Sequence, residues 1–91
     1  MGTPTLVIEI LSDSTRSKDM IDKLNTYRLS GVKEYWIVNQ KQENIMVYNF
    51  TDYEIDKYKT YEKGDTAPSL VFMGLSVAID SLFAGLIHAP Q

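Results

Sequence analysis

The chain has 91 residues, 44% hydrophobic and 23% charged, with a net charge of −3 and no cysteine. This composition excludes a disordered or collagen-like chain, a disulfide scaffold and any thiolate metal site. The length allows one small domain or a piece of one.

The apolar stretches Leu6 to Leu11 and Leu70 to Ile79 fall far short of the ~20 residues a membrane helix needs. With no cysteine and no leader-like segment, the chain reads as cytoplasmic. Its acidic balance argues against a strongly nucleic-acid-binding surface, which needs cations to neutralise phosphates. The charge is uneven, however. Residues 1–33 carry five basic and four acidic side chains, and residues 34–91 carry four and eight. A phosphate would be met more readily in the first third.

Leu6-Val7-Ile8-Glu9-Ile10-Leu11 is rich in β-branched residues and apolar on both alternating faces, the pattern of a central strand covered on both sides. Ser12-Asp13-Ser14-Thr15 is a polar loop. From Ser17 the period changes: Met20, Ile21, Leu24 and Tyr27 line one face of a helix of about 14 residues, with Ser17 as N-cap and Gly31 as the C′ residue. Tyr35-Trp36-Ile37-Val38 is a second buried strand, which completes a βαβ-like unit. Hairpins follow. Ile45 to Phe50 is a strand, Thr51-Asp52 a tight turn, and Tyr53 to Tyr61 a charged, Tyr-rich strand suited to an edge. Lys63-Gly64-Asp65 with Pro68 marks a turn, Leu75 to Ile79 a short strand, and Asp80 caps a helix over Ser81 to Leu86.

Glu9 shares a strand face with Val7 and Leu11 in the most apolar segment of the chain. An ionised carboxylate there is costly unless a cation, a metal or hydrogen-bond donors meet it. Lys23 lies about 60° from Met20 on the helical wheel, at the margin of the apolar stripe, so its stem can lie along the sheet while its ammonium reaches Glu9. Asp19 competes for the same lysine as an i,i+4 ion pair. Two readings stand side by side here, a structural Glu9–Lys23 pair and a functional carboxylate. If the pair is fully buried, Lys23→Met should cost roughly 3–5 kcal/mol.

The segment Pro4 to Thr15, then Asp19, Lys23 and Tyr27, then Gly31-Val32-Lys33-Glu34-Tyr35-Trp36-Ile37-Val38, resembles the Uma-type family of restriction endonucleases in the PD-(D/E)-x-K nuclease superfamily. Gly64-Asp65, Ser69, Phe72, Gly74-Leu75 and Leu82-Phe83 resemble that family's C-terminal end. The resemblance implies an α/β fold (an α+β mixed sheet) of β-α-β order followed by hairpins and a short C-terminal helix. It also implies a Mg²⁺-dependent hydrolase of DNA phosphodiesters. Carried over by position, Glu9 is the metal-ligand and catalytic candidate, and Lys23 is the catalytic lysine moved onto the helix, since Leu11 stands where E-x-K needs lysine. Asp19 is a weaker supporting candidate.

The departures from the family pattern weigh as much. Thr5 replaces the aspartate expected after Pro4, and Asp13 stands where proline is usual. Asp13 could supply a compensating metal ligand, although it lies in the loop beyond the strand. Residues 1–91 therefore read as one partial domain lacking the family's N-terminal half. A lone carboxylate holds Mg²⁺ poorly, so weak binding at Glu9 and absent or weak activity are expected. Completion would come from a second copy, as a homo-oligomer, or from a separate N-terminal half-domain. The alternative is a non-catalytic remnant or interaction module that keeps the fold.

The remaining features favour plainer roles. His88 reads as a tail residue, Trp36 as core, and Glu34, a second-carboxylate candidate near the sheet's end, as a cap or ion-pair residue. Tyr48, Tyr53, Tyr58 and Tyr61 offer a base-stacking platform only against the repulsion of Asp52, Glu54, Asp56 and Glu62.

Overall fold

In the computed structural model, which describes residues 2–11 and 17–88, the first apolar run forms strand β1, Leu6–Leu11. Helix α1 then spans Ser17–Ser30. Asp19 in its first turn and Arg28 in its last complement the helix dipole. The helix ends in a Schellman motif. Gly31 takes a φ of 93°, while its N–H donates to Arg28 O and that of Val32 to Tyr27 O. A glycine suits that position because a Cβ is disfavoured at positive φ.

Strand β2, Glu34–Asn39, pairs parallel with β1, Val7 opposite Tyr35 and Glu9 opposite Ile37. Five of its six residues are buried, so β2 is the covered central strand. Asn39 Oδ1 accepts from Gln42 N and rounds the turn into β3, Asn44–Thr51. A second hairpin leads to β4, Glu54–Tyr61. Its turn residues are Asp52 and Tyr53, both at positive φ, as a two-residue hairpin turn of the right twist requires. The turn thus sits one residue later than Thr51-Asp52, and the β3–β4 ladder carries a bulge between Asn49 and Phe50. The four-stranded sheet runs β1-β2-β3-β4, with one parallel and two antiparallel pairings.

Two further strands, β5 (Thr66–Pro68) and β6 (Ser76–Ala78), pair with each other and lead into helix α2, Ile79–His88. Strand β5 is hidden in the sequence by Gly64 and Pro68, which read as turn residues. Proline is tolerated there because it ends a short edge strand. Asp80 lies inside the first turn of α2, and its carboxylate accepts from Gly64 N instead of capping the helix.

The main sheet has two apolar faces. On the first, Met20, Leu24 and Tyr27 of α1 pack with Val7, Leu11, Tyr35, Ile37 and Phe50. On the second, Ile79 and Phe83 of α2 and Ala67 of β5 pack with Trp36, Val38, Ile45 and Val47. Strand β1 departs from the sequence expectation. It is an edge of the sheet, and Ile8 and Ile10 on the second face are 51% and 55% exposed. Its apolar alternation identifies two faces to be covered. In the fold, α2 and the β5–β6 pair cover β2 and β3 and reach β1 only at Leu6, leaving Ile8 and Ile10 half-exposed.

Candidate functional site

Strand alternation turns Glu9 toward the face that α1 covers, and the four-residue spacing of Lys23 and Tyr27 presents both to it from one side of the helix. Lys23 Nζ donates to Glu9 Oε2 at 2.9 Å, and Tyr27 Oη donates to Glu9 Oε1 at 2.5 Å. Tyr35, two positions before Glu9's partner Ile37, donates a longer bond of 3.4 Å to Oε2. The structure therefore joins the two residues that the sequence singles out, Glu9 and Lys23. Lys23 does not pair with Asp19. The i,i+4 ion pair on the exposed side of α1 is Lys18–Asp22.

Burial pushes the Glu9 carboxyl up. The bonds from Tyr27 and Lys23, the Lys23 charge and the Tyr35 hydroxyl outweigh it and hold the group below its ordinary value. The bond to Glu9 raises the Tyr27 phenol, with burial adding to it, and burial raises Tyr35, with the Glu9 charge adding to it. The cluster is thus an ionised carboxylate, an ammonium and two neutral phenols, with no net charge. The lysine side chain remains 55% exposed, against 19% for Glu9. The pair is half-open rather than buried, so the large cost expected for Lys23→Met does not apply.

Tyr27 and Tyr35 are the site residues that sequence reasoning missed. Tyr27 carried a signal, since it continues the Asp19-Lys23-Tyr27 spacing of four. Tyr35 carried none beyond its strand pattern, because its reach to Glu9 depends on the register of β1 against β2.

A second carboxylate was the open question. Asp13 lies outside the described residues. Glu34 is excluded by its direction. It shares the second sheet face with Trp36 and Leu6, opposite to Glu9, and is 0% exposed. Neither a cap nor an ion-pair partner, it accepts from Trp36 Nε1 (2.6 Å), Asn49 Nδ2 (2.8 Å), Leu70 N (2.8 Å) and Val71 N (3.3 Å). Burial raises its pKa, and the donors of Asn49, Leu70, Ser69 and Trp36 together bring it below the ordinary value. Glu34 anchors the 69–75 loop to the sheet.

Among the described residues no group of three or more His, Cys, Asp or Glu is gathered as a metal ion would need. Both Glu9 oxygens are already engaged, and the Lys23 ammonium stands 2.9 Å from one of them, where a cation would bind. The described residues of this chain do not fit a Mg²⁺ centre, which asks for one or two free carboxylates in octahedral array. The tyrosines form no stacking platform either. Tyr48 and Tyr58 stack on each other at 4.6 Å, Tyr61 packs on the opposite face and Tyr53 sits in the hairpin turn.

Comparison with known proteins agrees with this fold. The Uma2 family model, described as a putative restriction endonuclease, matches residues 1–80. No curated protein matches. A solved structure of a putative nuclease belonging to DUF820, from Anabaena variabilis, superposes with a TM-score of 0.77 at 20% identity. The match covers 94% of this chain and 47% of that one, so the chain spans about half the length of the structure it resembles. At this identity the likeness concerns the fold, a mixed α+β architecture with a mixed sheet. With the family model matching 80 of 91 residues, the chain belongs to the Uma2 family of putative restriction endonucleases.

Proposed function

We propose that this chain is the Glu9-bearing part of a cytoplasmic nuclease-type domain for DNA phosphodiester hydrolysis, and that alone it is inactive or weakly active. The observation that carries the reading is the Glu9–Lys23–Tyr27 cluster, an ionised carboxylate with an ammonium and a phenol at hydrogen-bond distance. The half-exposed ammonium can turn to a phosphate oxygen and stabilise charge developing there. Tyr27 and Tyr35 hold the carboxylate in place meanwhile. Among the described residues the arrangement has no second carboxylate, which a hard divalent cation such as Mg²⁺ needs. Further polypeptide would supply it, either a second copy or a segment equivalent to the uncovered part of the longer solved structure.

A second reading rests on the saturation of Glu9. With both oxygens occupied, the cluster also serves as a structural tie between β1 and α1, in a module that keeps the fold without the chemistry. Calorimetric titration with Mn²⁺, wild type against Glu9→Gln, separates the two. Heats lost in the variant support the nuclease reading, together with plasmid cleavage that requires Glu9. Identical heats leave the structural tie.

A further inference from the structure

The face of the main sheet that α1 covers carries a row of tyrosines, one from each of three neighbouring strands. The register sets Tyr35 of β2 opposite Tyr48 of β3, and Tyr48 opposite Tyr58 of β4. At one end Tyr27 of α1 lies against Tyr35. The ring centroids are 4.9 Å apart from Tyr27 to Tyr35, 6.4 Å from Tyr35 to Tyr48 and 4.6 Å from Tyr48 to Tyr58. All three spacings lie within the ~4.5–7 Å of interacting aromatic pairs, so the row runs unbroken from β4 to the Glu9 cluster. At its outer end the Tyr58 hydroxyl shares a hydrogen bond of 3.0 Å with Thr60 Oγ1.

A phenol that holds a carboxylate is only as fixed as its ring. Tyr27 Oη is bonded to Glu9 Oε1, and its ring rests on that of Tyr35 at an interplanar angle of 52°. Tyr35 is buried, with Val7 of β1 across from it on one side and Tyr48 on the other. Beside Tyr48 the packing under α1 is incomplete, and an apolar cleft of about 170 Å³ is lined by Met20, Ile21, Leu24, Ile37 and Tyr48. Tyr48 borders that cleft and Tyr35 does not, so the Tyr48 ring closes off space into which Tyr35 would otherwise turn. The Tyr48 ring is held in turn by Tyr58, stacked 28° from parallel.

We infer that Tyr48 is a positioning residue for Glu9, which it serves from two strands away by fixing Tyr35 and, through it, the phenol of Tyr27. This inference rests on the reading of Glu9 as the site's carboxylate. It assigns unequal parts to the two carboxylate oxygens. Oε1 is kept on a phenol backed by the whole row, whereas Oε2 bears the half-exposed Lys23 ammonium and the longer bond from Tyr35. When the ammonium turns to a phosphate, Oε2 opens to a cation while Oε1 keeps the carboxylate aimed. Outer partners that orient a ligating group commonly change metal affinity by about 10–100-fold.

Proton NMR reads the bond directly. Held on an ionised carboxylate, the Tyr27 hydroxyl proton should give a downfield resonance that exchanges slowly with water and vanishes in Tyr27→Phe. Tyr48→Phe keeps the ring and should keep this resonance. Tyr48→Leu should lose it and weaken Mn²⁺ binding by about tenfold. Val38→Ala, a truncation in the core of the opposite sheet face, lowers stability without touching the row and should leave the resonance in place. Should Tyr48→Leu fail to fold, Tyr58→Leu acts at the exposed end of the row and should move the resonance upfield. The inference is overturned by a wild type without the resonance, by a folded Tyr48→Leu or Tyr58→Leu in which it is unchanged, or by its loss in Tyr48→Phe or Val38→Ala. The titration separates the two readings. A row-dependent resonance in a wild type that binds no Mn²⁺ sinks the site and leaves Tyr48 positioning a structural tie. Mn²⁺ heats and a resonance that Tyr48→Leu both leaves unchanged sink the positioning and keep the site.

Discussion

Glu9 and Glu34 are carboxylates on neighbouring strands of one sheet, and both are held below their ordinary pKa, by opposite means. Glu9 faces the helix on strand β1, neutralised by a half-exposed ammonium and supported by two phenols. Glu34 is sealed under the other face, with no cation, on an indole N–H, an amide and two backbone N–H groups. A site that exchanges ligands needs the first arrangement, because its cation can leave. The second serves rigidity, since its donors are fixed in the frame and have no other acceptor.

The comparison breaks if the two residues respond alike to substitution. Glu34→Ala should destabilise the chain by about 3–5 kcal/mol, because several buried donors lose their acceptor at once; urea unfolding measures this. The same variant should raise hydrogen exchange at Leu70 and Val71 and leave Mn²⁺ titration unchanged. A cost near that of an ordinary surface substitution would show that the loop does not depend on Glu34.

Acid unfolding sharpens the contrast. Both folded-state pKa values lie below the ordinary 4.5. The stability these groups contribute is therefore fully present above that value and is lost as pH falls through the lower folded values. Glu34, with four donors, should account for more of this acid-side loss than Glu9. Stability measured by urea unfolding across this range should fall less steeply with acid in Glu34→Gln than in Glu9→Gln. The reverse order would place the stronger clamp at the edge.

Smaller effects belong to Glu9. Tyr27→Phe removes its shortest bond and should move the Glu9 carboxyl back up toward 4.5, as a carbon-detected NMR titration reads. Lys23→Met should cost less than about 1 kcal/mol, since the lysine is more exposed than buried and solvent screens the pair. A cost of several kcal/mol would mean that the ammonium is structural, and would favour the non-catalytic tie.

The local elements were legible in the residues. The apolar run Leu6 to Leu11 and Gly31 at the helix end marked β1 and the C-terminal end of α1 to the residue, while Ser17, read as the cap before the helix, is its first residue. Parity along the strand placed Glu9 with Val7 and Leu11, and the helical wheel brought Lys23 within reach. Strand β5 was obscured because Gly64 and Pro68 signal turns wherever they occur, and a three-residue strand has too little pattern to compete. The hairpin turn was read one residue early because Tyr53, which takes positive φ in the turn, is not a turn-forming residue type.

Sequence by itself determined which side chains share a face, since backbone periodicity is local and intrinsic. Only tertiary structure decided what each face meets. Leu6–Leu11 looks the same whether it is central or an edge, because its apolar pattern records a need for cover and not its presence. Glu34 and Glu9 look alike as lone acids in apolar strands, and the sheet register and the 69–75 loop set one in a fixed frame of neutral donors and the other beside a lysine. Those partners lie up to 37 positions away along the chain, at separations that no local pattern encodes.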